Sequence, residues 1–311
     1  MLQKINGYIE KWMAFVTPTC LLLGVCFPDI AGHGVKYVPY VFALMTFTGS
    51  LKSTFADVRH VFRHPKPLIM TLVIIHIVMS LAACAAGHLF FSDAPNIMAG
   101  MVLEFCVPTA VVALMWVSIY GGNSPLSLSL VVIDTVMAPF IIPAALHIFI
   151  GSKVKMDVKE MMTELVFMIA LPALAAMCLN KITRDRVKEV WPSKLALLSK
   201  LALMFVVTSN SSKVAPYVRD MNMQRFGAAL SILLLAASGY LIGWLAAIVM
   251  KKDRQTTVSM IYGAGMRNIS AGAVIAAAYF PGEVMFPVII GTLFQQVLAA
   301  CYGKVIEKKL G

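Results

Sequence analysis

The chain is a succession of apolar stretches separated by short polar connectors. A helix that crosses a bilayer needs about 20 mostly apolar residues. Of the 311 residues, 59% are hydrophobic and 13% are charged, which is about half the charged fraction of an average soluble domain. The apolar runs are longer than the alternating segments of about ten residues that build outer-membrane barrels. The sequence therefore predicts an integral membrane protein with an all-α fold.

Ten such segments fill the chain and leave no room for a separate soluble domain. They cover residues 12–27, 37–51, 67–91, 96–120, 124–150, 161–179, 195–208, 226–250, 258–280 and 284–302. Lysine and arginine are concentrated in alternate connectors, as the positive-inside rule expects of cytoplasmic loops. Ten crossings with this bias place both termini in the cytoplasm. We expect one membrane domain over residues 1–311.

The formal net charge of +11 would suggest a nucleic-acid partner in a soluble protein. Here the basic residues flank apolar segments, so we expect the lipid bilayer as their neighbour and no nucleic acid. The six cysteines lie in apolar runs without C-x-x-C spacing, which indicates buried thiols rather than a disulfide framework or metal site. No nucleophile–base pair or metal cluster is recognisable. We therefore expect neither an enzyme nor a bound cofactor.

The ninth segment contains the most unusual residues of the chain. Gly263 and Gly265 are followed by Arg267 and Asn268 in the middle of an apolar run. Glycine costs a helix about 1 kcal/mol relative to alanine, and an arginine at mid-bilayer costs roughly 2.5–3.5 kcal/mol. Such a segment is tolerated where the helix is broken around a cavity or a ligand. We interpret it as a functional site; the alternative is a structural arginine neutralised by a carboxylate.

The two halves of the chain repeat one plan. Residues 1–152 and 153–311 each contain five segments, and the fourth is interrupted, by Pro108 in the first half and by Gly263–Gly265 in the second. An odd number of crossings per half makes the repeats inverted. Paired interruptions indicate the midplane site of a transporter, where half-helix ends offer unpaired N–H and C=O groups.

Several short motifs follow one another in a definite order. They are Phe47-Thr48-Gly49-Ser50-Leu51, His64-Pro65-Lys66, Cys106-x-Pro108, Gly122-Asn123, Pro139, Gly265-Met266-Arg267-Asn268 and Ala276-Ala277-Ala278-Tyr279-Phe280. Through their order and spacing, nearly the whole chain resembles the bile acid:sodium symporter family. The resemblance implies a panel domain (segments one, two, six and seven), a core domain with crossing broken helices, and a bacterial inner (plasma) membrane location. Family members carry organic anions such as bile acids, sterol sulfates and small carboxylates.

The resemblance also implies sodium sites, and this chain departs from them. Positions of sodium ligands in sodium-coupled members are occupied here by Ala113, Leu114, Val131 and Gly263, and only Ser127 is kept. Arg267 stands at a position where those members have glutamine. Sodium prefers oxygen ligands, whereas a guanidinium offers only donors. We therefore expect that sodium coupling at these positions is lost and that the Arg267 cation takes the place of the ion.

The candidate site gathers around the two interruptions. The expected substrate-binding residues are Pro108, Thr109, Arg267, Asn268, Ser270 and Gln295. Asp134, Glu104 and His76 are expected to set the charge balance, with Asp134 as the favoured ion-pair partner of Arg267. Either carboxylate could titrate if the site hydrates, which leaves proton-coupled and uncoupled transport open.

Together these features predict a secondary transporter that moves a small or amphipathic organic anion by alternating access. An arsenite-type efflux permease using Cys106 and a non-transporting membrane sensor of the same fold are the alternatives. For assembly, a monomer is favoured. The sequence names neither the substrate nor the direction of transport.

Overall fold

The computed structural model describes residues 13–56, 65–151 and 157–310, and these residues form an almost entirely α-helical protein. Its helices are α1 (Met13–Cys26), α2 (Pro28–Gly32), α3 (Val38–Ser50), α4 (Lys66–Val73), α5 (Met79–Phe90), α6 (Pro95–Cys106), α7 (Ala113–Ile119), α8 (Ser124–Ile150), α9 (Val158–Leu165), α10 (Leu171–Ile182), α11 (Arg186–Arg219), α12 (Met223–Val249), α13 (Arg254–Gly265), α14 (Ile269–Tyr279) and α15 (Met285–Leu310). The π-helical turns Ile74–Val78 and Val166–Ala170 join α4 to α5 and α9 to α10. The motif residue His64 and the predicted repeat boundary at 152–153 lie outside the described residues.

Six continuous helices within the described ranges are long and apolar enough to cross a membrane. They are Lys66–Phe90, Ser124–Ile150, Val158–Ile182, Arg186–Arg219, Met223–Val249 and Gly282–Lys309, which correspond to predicted segments three, five, six, seven, eight and ten. Segments one and two form a helix pair, Pro18–Cys26 and Pro28–Ser50, bent by 102°. Segments four and nine are each broken into two helices. The protein is therefore a polytopic membrane protein, as the sequence predicts.

The prediction for segment seven was wrong at both ends. It placed a helix at 195–208, with a basic loop before it and a polar loop after it. Instead α11 runs for 34 residues from Arg186 to Arg219. The run Ser209–Ser212 is buried against neighbouring helices, and a buried backbone must satisfy its hydrogen bonds internally, which a continuing helix does.

Local sequence explains where the two broken helices stop. Val107 precedes Pro108 and is extended (φ −67°, ψ 154°), because a proline ring disfavours helical geometry at the residue before it. In the second half α13 ends at Gly265, and Met266 is extended (φ −100°, ψ 128°). A Cβ on Gly265 would overlap the ring of Tyr240. The expected interruptions are therefore real breaks in the helices.

The helices that carry the breaks form the centre of the molecule. Every residue from Ile97 to Cys106 in α6 and from Thr256 to Gly265 in α13 is buried. On α12, Gly239 and Gly243 let the α13 backbone approach: their Cβ atoms would lie 3.0 Å from the Ala264 carbonyl oxygen and 2.6 Å from that of Met260. Small residues one helical turn apart are a common basis of close packing in membranes. The helices that carry the breaks are thus surrounded by other parts of the protein.

Candidate functional site

The two broken helices meet at their breaks, where a short extended piece of one pairs with a piece of the other. The Asn268 N–H donates to the Pro108 carbonyl at 2.7 Å, and Thr109 faces Arg267 across an antiparallel bridge. Extended backbone inside a membrane is tolerated only where it is buried in protein or lines a cavity. The structure thus brings together the two interruptions that the sequence analysis singled out.

Arg267 is buried at this crossing, with 2% of its surface exposed. Its backbone N–H donates to Oε1 of Gln295 on α15 at 2.8 Å, which fixes the backbone position. The side-chain atoms Nε, Nη1 and Nη2 have no hydrogen-bond partner among the described residues. Taking a charge out of water costs several kcal/mol unless the charge is paired and hydrogen bonded. A bound anion or water would satisfy these donors.

Asp134 on α8 is completely buried, and both of its carboxylate oxygens are engaged. Oδ1 lies 2.6 Å from Nε2 of His76, in the π-helical turn between α4 and α5. Oδ2 accepts the Thr109 N–H at 2.7 Å. Asp134 lies within electrostatic range of Arg267. The direct Arg267–Asp134 bridge favoured by the sequence analysis is not formed, since the Arg267 side-chain nitrogens have no hydrogen-bond partner among the described residues. The carboxylate instead joins α8, the π-helical turn and the first break.

Glu104 on α6 is the second buried carboxylate that interacts electrostatically with Arg267. Its Oε2 has no hydrogen-bond partner in the described part of the chain. Its Oε1 lies so close to Gly291 of α15 that a Cβ there would overlap it. Glu104 and Asp134 thus both lie within electrostatic range of Arg267, and His76 contacts Asp134; the role of the three residues in charge balance stays a prediction.

Other predicted substrate ligands bond within the protein. The Thr109 hydroxyl donates to the Gly263 carbonyl at 3.0 Å. The Asn268 side-chain oxygen accepts the Ala271 N–H at 3.2 Å and caps α14. Gln295 holds the Arg267 backbone, and Ser270, in the first turn of α14, is partly exposed. Thr109 and Gln295 therefore position the Arg267 backbone, and Asn268, Ser270 and Gln295 are all partly exposed.

The expectation of free N–H groups after Pro108 is not met at the first two positions. The Thr109 N–H bonds to Asp134, and the Ala110 N–H donates to the Met266 carbonyl at 3.2 Å. Because the breaks satisfy each other's backbone groups, the start of α7 is a weaker anion site than a free helix N-terminus. The Arg267 side chain is left as the main group for an anion.

Sequence reasoning missed a polar group on α11. Asn210 is completely buried, and neither atom of its amide has a hydrogen-bond partner within the described residues; the buried hydroxyl of Ser211 lacks one too. Because this stretch was predicted to be a polar loop, its side chains were not expected to be buried. A signal was present, because apolar residues continue on both sides of the polar run, at Val206, Val207, Val214 and Ala215.

The chain matches the Sodium Bile acid symporter family over residues 39–221. The protein belongs to this family. "Uncharacterized protein YbaS" of Bacillus subtilis (strain 168) is 40% identical over 296 residues, 95% of this chain and 97% of the relative. "Uncharacterized sodium-dependent transporter YocS" of the same organism is 22% identical over 99% of this chain and 96% of its own length. "Probable sodium/metabolite cotransporter BASS1, chloroplastic" of Arabidopsis thaliana is 25% identical over 73% of this chain and 55% of its own length. Family and relatives together indicate a transporter.

The residues at the family's sodium positions do not fit a sodium ion. A Cβ on Gly263 would lie 2.5 Å from Cδ2 of Leu130 and 3.2 Å from Cγ2 of Thr71, so hydrocarbon fills the space a carboxylate would need. The Gly263 carbonyl already accepts the Thr109 hydroxyl. Three further positions carry only hydrocarbon: Ala113, Leu114 and Val131. Of the ligand positions that the resemblance implies, only Ser127 offers a side-chain oxygen, a buried hydroxyl that has no partner among the described residues. A hard cation needs several oxygens.

Proposed function

We propose that the protein is a secondary transporter that moves a small or amphipathic organic anion by alternating access, with Arg267 as its anion-binding group. The supporting observation is a buried guanidinium whose three nitrogens lack hydrogen-bond partners among the described residues. A guanidinium binds carboxylates and related oxyanions through two parallel hydrogen bonds. Relatives named as a sodium-dependent transporter and a sodium/metabolite cotransporter support an organic metabolite as cargo.

The proposed topology has ten crossings in two inverted five-helix repeats, residues 1–152 and 153–311. The six continuous spans, the bent helix pair and the two broken helices together account for ten segments. The crossing broken helices would belong to the core domain, and segments one, two, six and seven to the panel. We place the protein in the bacterial inner membrane with both termini in the cytoplasm, because the basic connectors would then be cytoplasmic.

For the driving force we propose a proton, or no coupled ion, rather than sodium at the family's positions. His76 and Asp134 form the pair that could carry the proton, since Asp134 Oδ1 contacts the imidazole and Oδ2 contacts the backbone of the first break. Protonation of the carboxylate would weaken both contacts. A proton at this pair would thereby change how the break is held.

Arg267→Gln tests the anion site, because glutamine keeps a polar side chain and loses the charge. We expect the affinity of the purified transporter for its best carboxylate or sulfate ligand, found by thermal-shift screening, to fall about 10- to 150-fold. That range corresponds to the roughly 1.5–3 kcal/mol contributed by a charge-assisted hydrogen bond. Arg186→Gln is the matched control, because it removes the same charge from an exposed position and should leave affinity unchanged.

Uptake into proteoliposomes separates a carrier from a sensor of the same fold. A carrier exchanges labelled ligand across the membrane, and Arg267→Gln slows the exchange at low ligand concentration. Equal ligand affinity in Arg267→Gln and the parent protein would remove Arg267 from the site. Binding without exchange would contradict transport and support a sensor.

A further inference from the structure

The turn between α10 and α11 carries an open cavity that is not part of the candidate anion site. Its volume is about 540 Å³, within the range of about 300–1,000 Å³ that is common for small-molecule sites. Arg184 and Arg186 line it together with apolar side chains at the adjoining ends of the two helices. We refer to it as the α10–α11 cavity.

Helix lengths place this cavity at a membrane surface. The span Val158–Ile182 has 25 residues, which corresponds to about 37 Å at 1.5 Å per residue. The hydrocarbon core of a bilayer is about 30 Å thick, and about 40–45 Å with the headgroup layers. The next span begins directly after the turn, at Arg186. The turn between the two spans therefore lies in or next to a headgroup layer.

The turn has an uncommon backbone conformation that tertiary contacts hold in place. Arg184 and Asp185 have φ angles of 52° and 65°, in the left-handed region that few non-glycine residues adopt. The Asp185 N–H donates to the Asn180 carbonyl at 2.8 Å. The Asn180 amide donates to the Leu51 and Ser53 carbonyls at 2.9 and 3.0 Å. The turn is thereby tied to the chain that follows α3.

The two arginines of the cavity are available to a ligand. Neither the Arg184 nor the Arg186 guanidinium forms an ion pair or hydrogen bond with a described residue. Residues 181–194 contain five basic and two acidic side chains, and the two carboxylates, of Asp185 and Glu189, do not line the cavity. A guanidinium binds a phosphate group through paired N–H donors. The cavity therefore suits a phosphate.

The apolar part of the cavity indicates what else the ligand carries. Three of the remaining lining residues are apolar and exposed: Ile182 by 79%, Val190 by 43% and Trp191 by 42%. Tryptophan is enriched where a protein meets the headgroup level of a bilayer. A soluble phosphate would leave these side chains uncovered, whereas acyl chains would remove their apolar surface from water.

We propose that the α10–α11 cavity binds an anionic phospholipid of the surrounding bilayer, with Arg184 and Arg186 as the ligands of its phosphate group. Basic pockets at the ends of membrane helices suit such headgroups. The phosphate would reach the guanidiniums from the headgroup layer, while the acyl chains stay in the bilayer and contact the apolar side chains. The bound lipid would hold the α10–α11 turn at the membrane surface.

This lipid site is separate from the anion site. Lys213 of α11 donates to the Ala277 carbonyl of α14 at 2.7 Å. From Arg186 to Lys213, α11 rises about 40 Å, whereas Ala277 and Arg267 are separated by only about 15–20 Å. Substitution of Arg186 is therefore not expected to change carboxylate affinity in detergent. The inference is independent of the proposed function.

Quenching of Trp191 fluorescence by brominated phospholipids tests the proposal. The full-length protein is placed in nanodiscs of phosphatidylcholine and phosphatidylglycerol, in which the acyl chains of one of the two lipids carry bromine. The difference between the parent protein and Trp191→Phe isolates the signal of Trp191 from that of the other tryptophans. We expect phosphatidylglycerol to be preferred beside Trp191 by about 5- to 30-fold, the combined contribution of two arginines at a membrane surface.

Two variants and two controls assign the preference to the cavity. Arg184→Asn removes one charge and supplies a residue that tolerates the left-handed region, and it should reduce the preference about fivefold. The double variant Arg184→Asn, Arg186→Gln should abolish the preference. The controls Lys181→Gln and Lys194→Gln remove a charge from exposed positions of the same stretch that do not line the cavity, and they should retain it.

The outcomes decide between a lipid site and its alternatives. Equal quenching by the two lipids in the parent protein would overturn the proposal. An equal loss of preference in the two lysine controls would also overturn it, because the attraction would then be a diffuse effect of the basic stretch. Glycerol phosphate supplies the same phosphate without acyl chains and should not displace the brominated lipid; displacement would assign the cavity to a soluble phosphate. None of these results depends on carboxylate binding at Arg267, so this inference and the proposed function fail separately.

Discussion

Asp134→Asn separates the charge of the Asp134 carboxylate from its shape. The carboxylate bonds to His76 at 2.6 Å and to the Thr109 N–H at 2.7 Å. The asparagine oxygen can still accept the Thr109 N–H, and its NH₂ group can donate to a neutral His76 ring. The crossing of the two broken helices should therefore keep its geometry, while the negative charge next to His76 and near Arg267 is lost.

The loss of folding free energy expected in Asp134→Asn can be worked out from the two contacts of the carboxylate. Hydrogen bonds to charged groups contribute about 1.5–3 kcal/mol and neutral ones about 0.5–1.5 kcal/mol. Converting both contacts from charged to neutral should therefore cost roughly 2–3 kcal/mol of folding free energy. Asp93→Asn, which removes the same charge from an exposed position, should cost almost nothing, because exposed ion pairs and charges contribute little.

The deciding assay is anion uptake into proteoliposomes with and without an imposed pH gradient. We expect a gradient to accelerate uptake by the parent protein and by Asp93→Asn. In Asp134→Asn, equilibrium exchange of labelled anion should continue, while acceleration by the gradient disappears. Continued acceleration in Asp134→Asn would show that Asp134 does not carry the coupling proton. No acceleration in the parent protein would assign uncoupled transport.

Three further predictions test the packing, the thiol and the sodium argument. Gly265→Ala should lower the free energy of unfolding by about 1–3 kcal/mol through overpacking, because its Cβ would overlap the Tyr240 ring. Gly49→Ala is the control and should leave stability unchanged, because its Cβ would lie 3.7 Å from the nearest atom, on Val111. Equal melting temperatures of the two variants would contradict the described packing. Cys106→Ala should leave anion transport intact, since the buried thiol donates to the Leu103 carbonyl of its own helix. Loss of transport in a folded variant would favour the arsenite-type permease. The melting temperature should be the same in sodium and in potassium, and a sodium-specific rise would reveal a site that these side chains do not suggest.

The features predicted best from the sequence are those that depend on local backbone chemistry. Pro108 disfavours helical geometry at the residue before it, and glycine followed by a buried charge disfavours a continuous helix. Both breaks therefore fall where they were expected, and Arg267 is buried between them. The six long apolar helices also follow directly from composition and length.

Side-chain pairing was harder to predict, because the sequence gives the extent of a segment and not its rotation about its axis. Asp134 was assigned to Arg267 on membrane depth alone, whereas the structure turns it towards His76. The π-helical turn at Ile74–Val78 rotates the side chains that follow it about the helix axis. No local residue pattern predicted this turn. Asn210 was missed for a different reason: serine and asparagine favour loops in isolation, and tertiary burial overrides that preference.

The pairing of the two breaks has a consequence for the empty transporter. The Asn268 N–H bonds to Pro108, the Ala110 N–H to Met266 and the Thr109 N–H to Asp134, so the interrupted backbone is satisfied without cargo. A preorganised site loses little ordering entropy when it is filled. Binding free energy is then available for discriminating between ligands, and the unloaded protein can reset between transport cycles without refolding its centre.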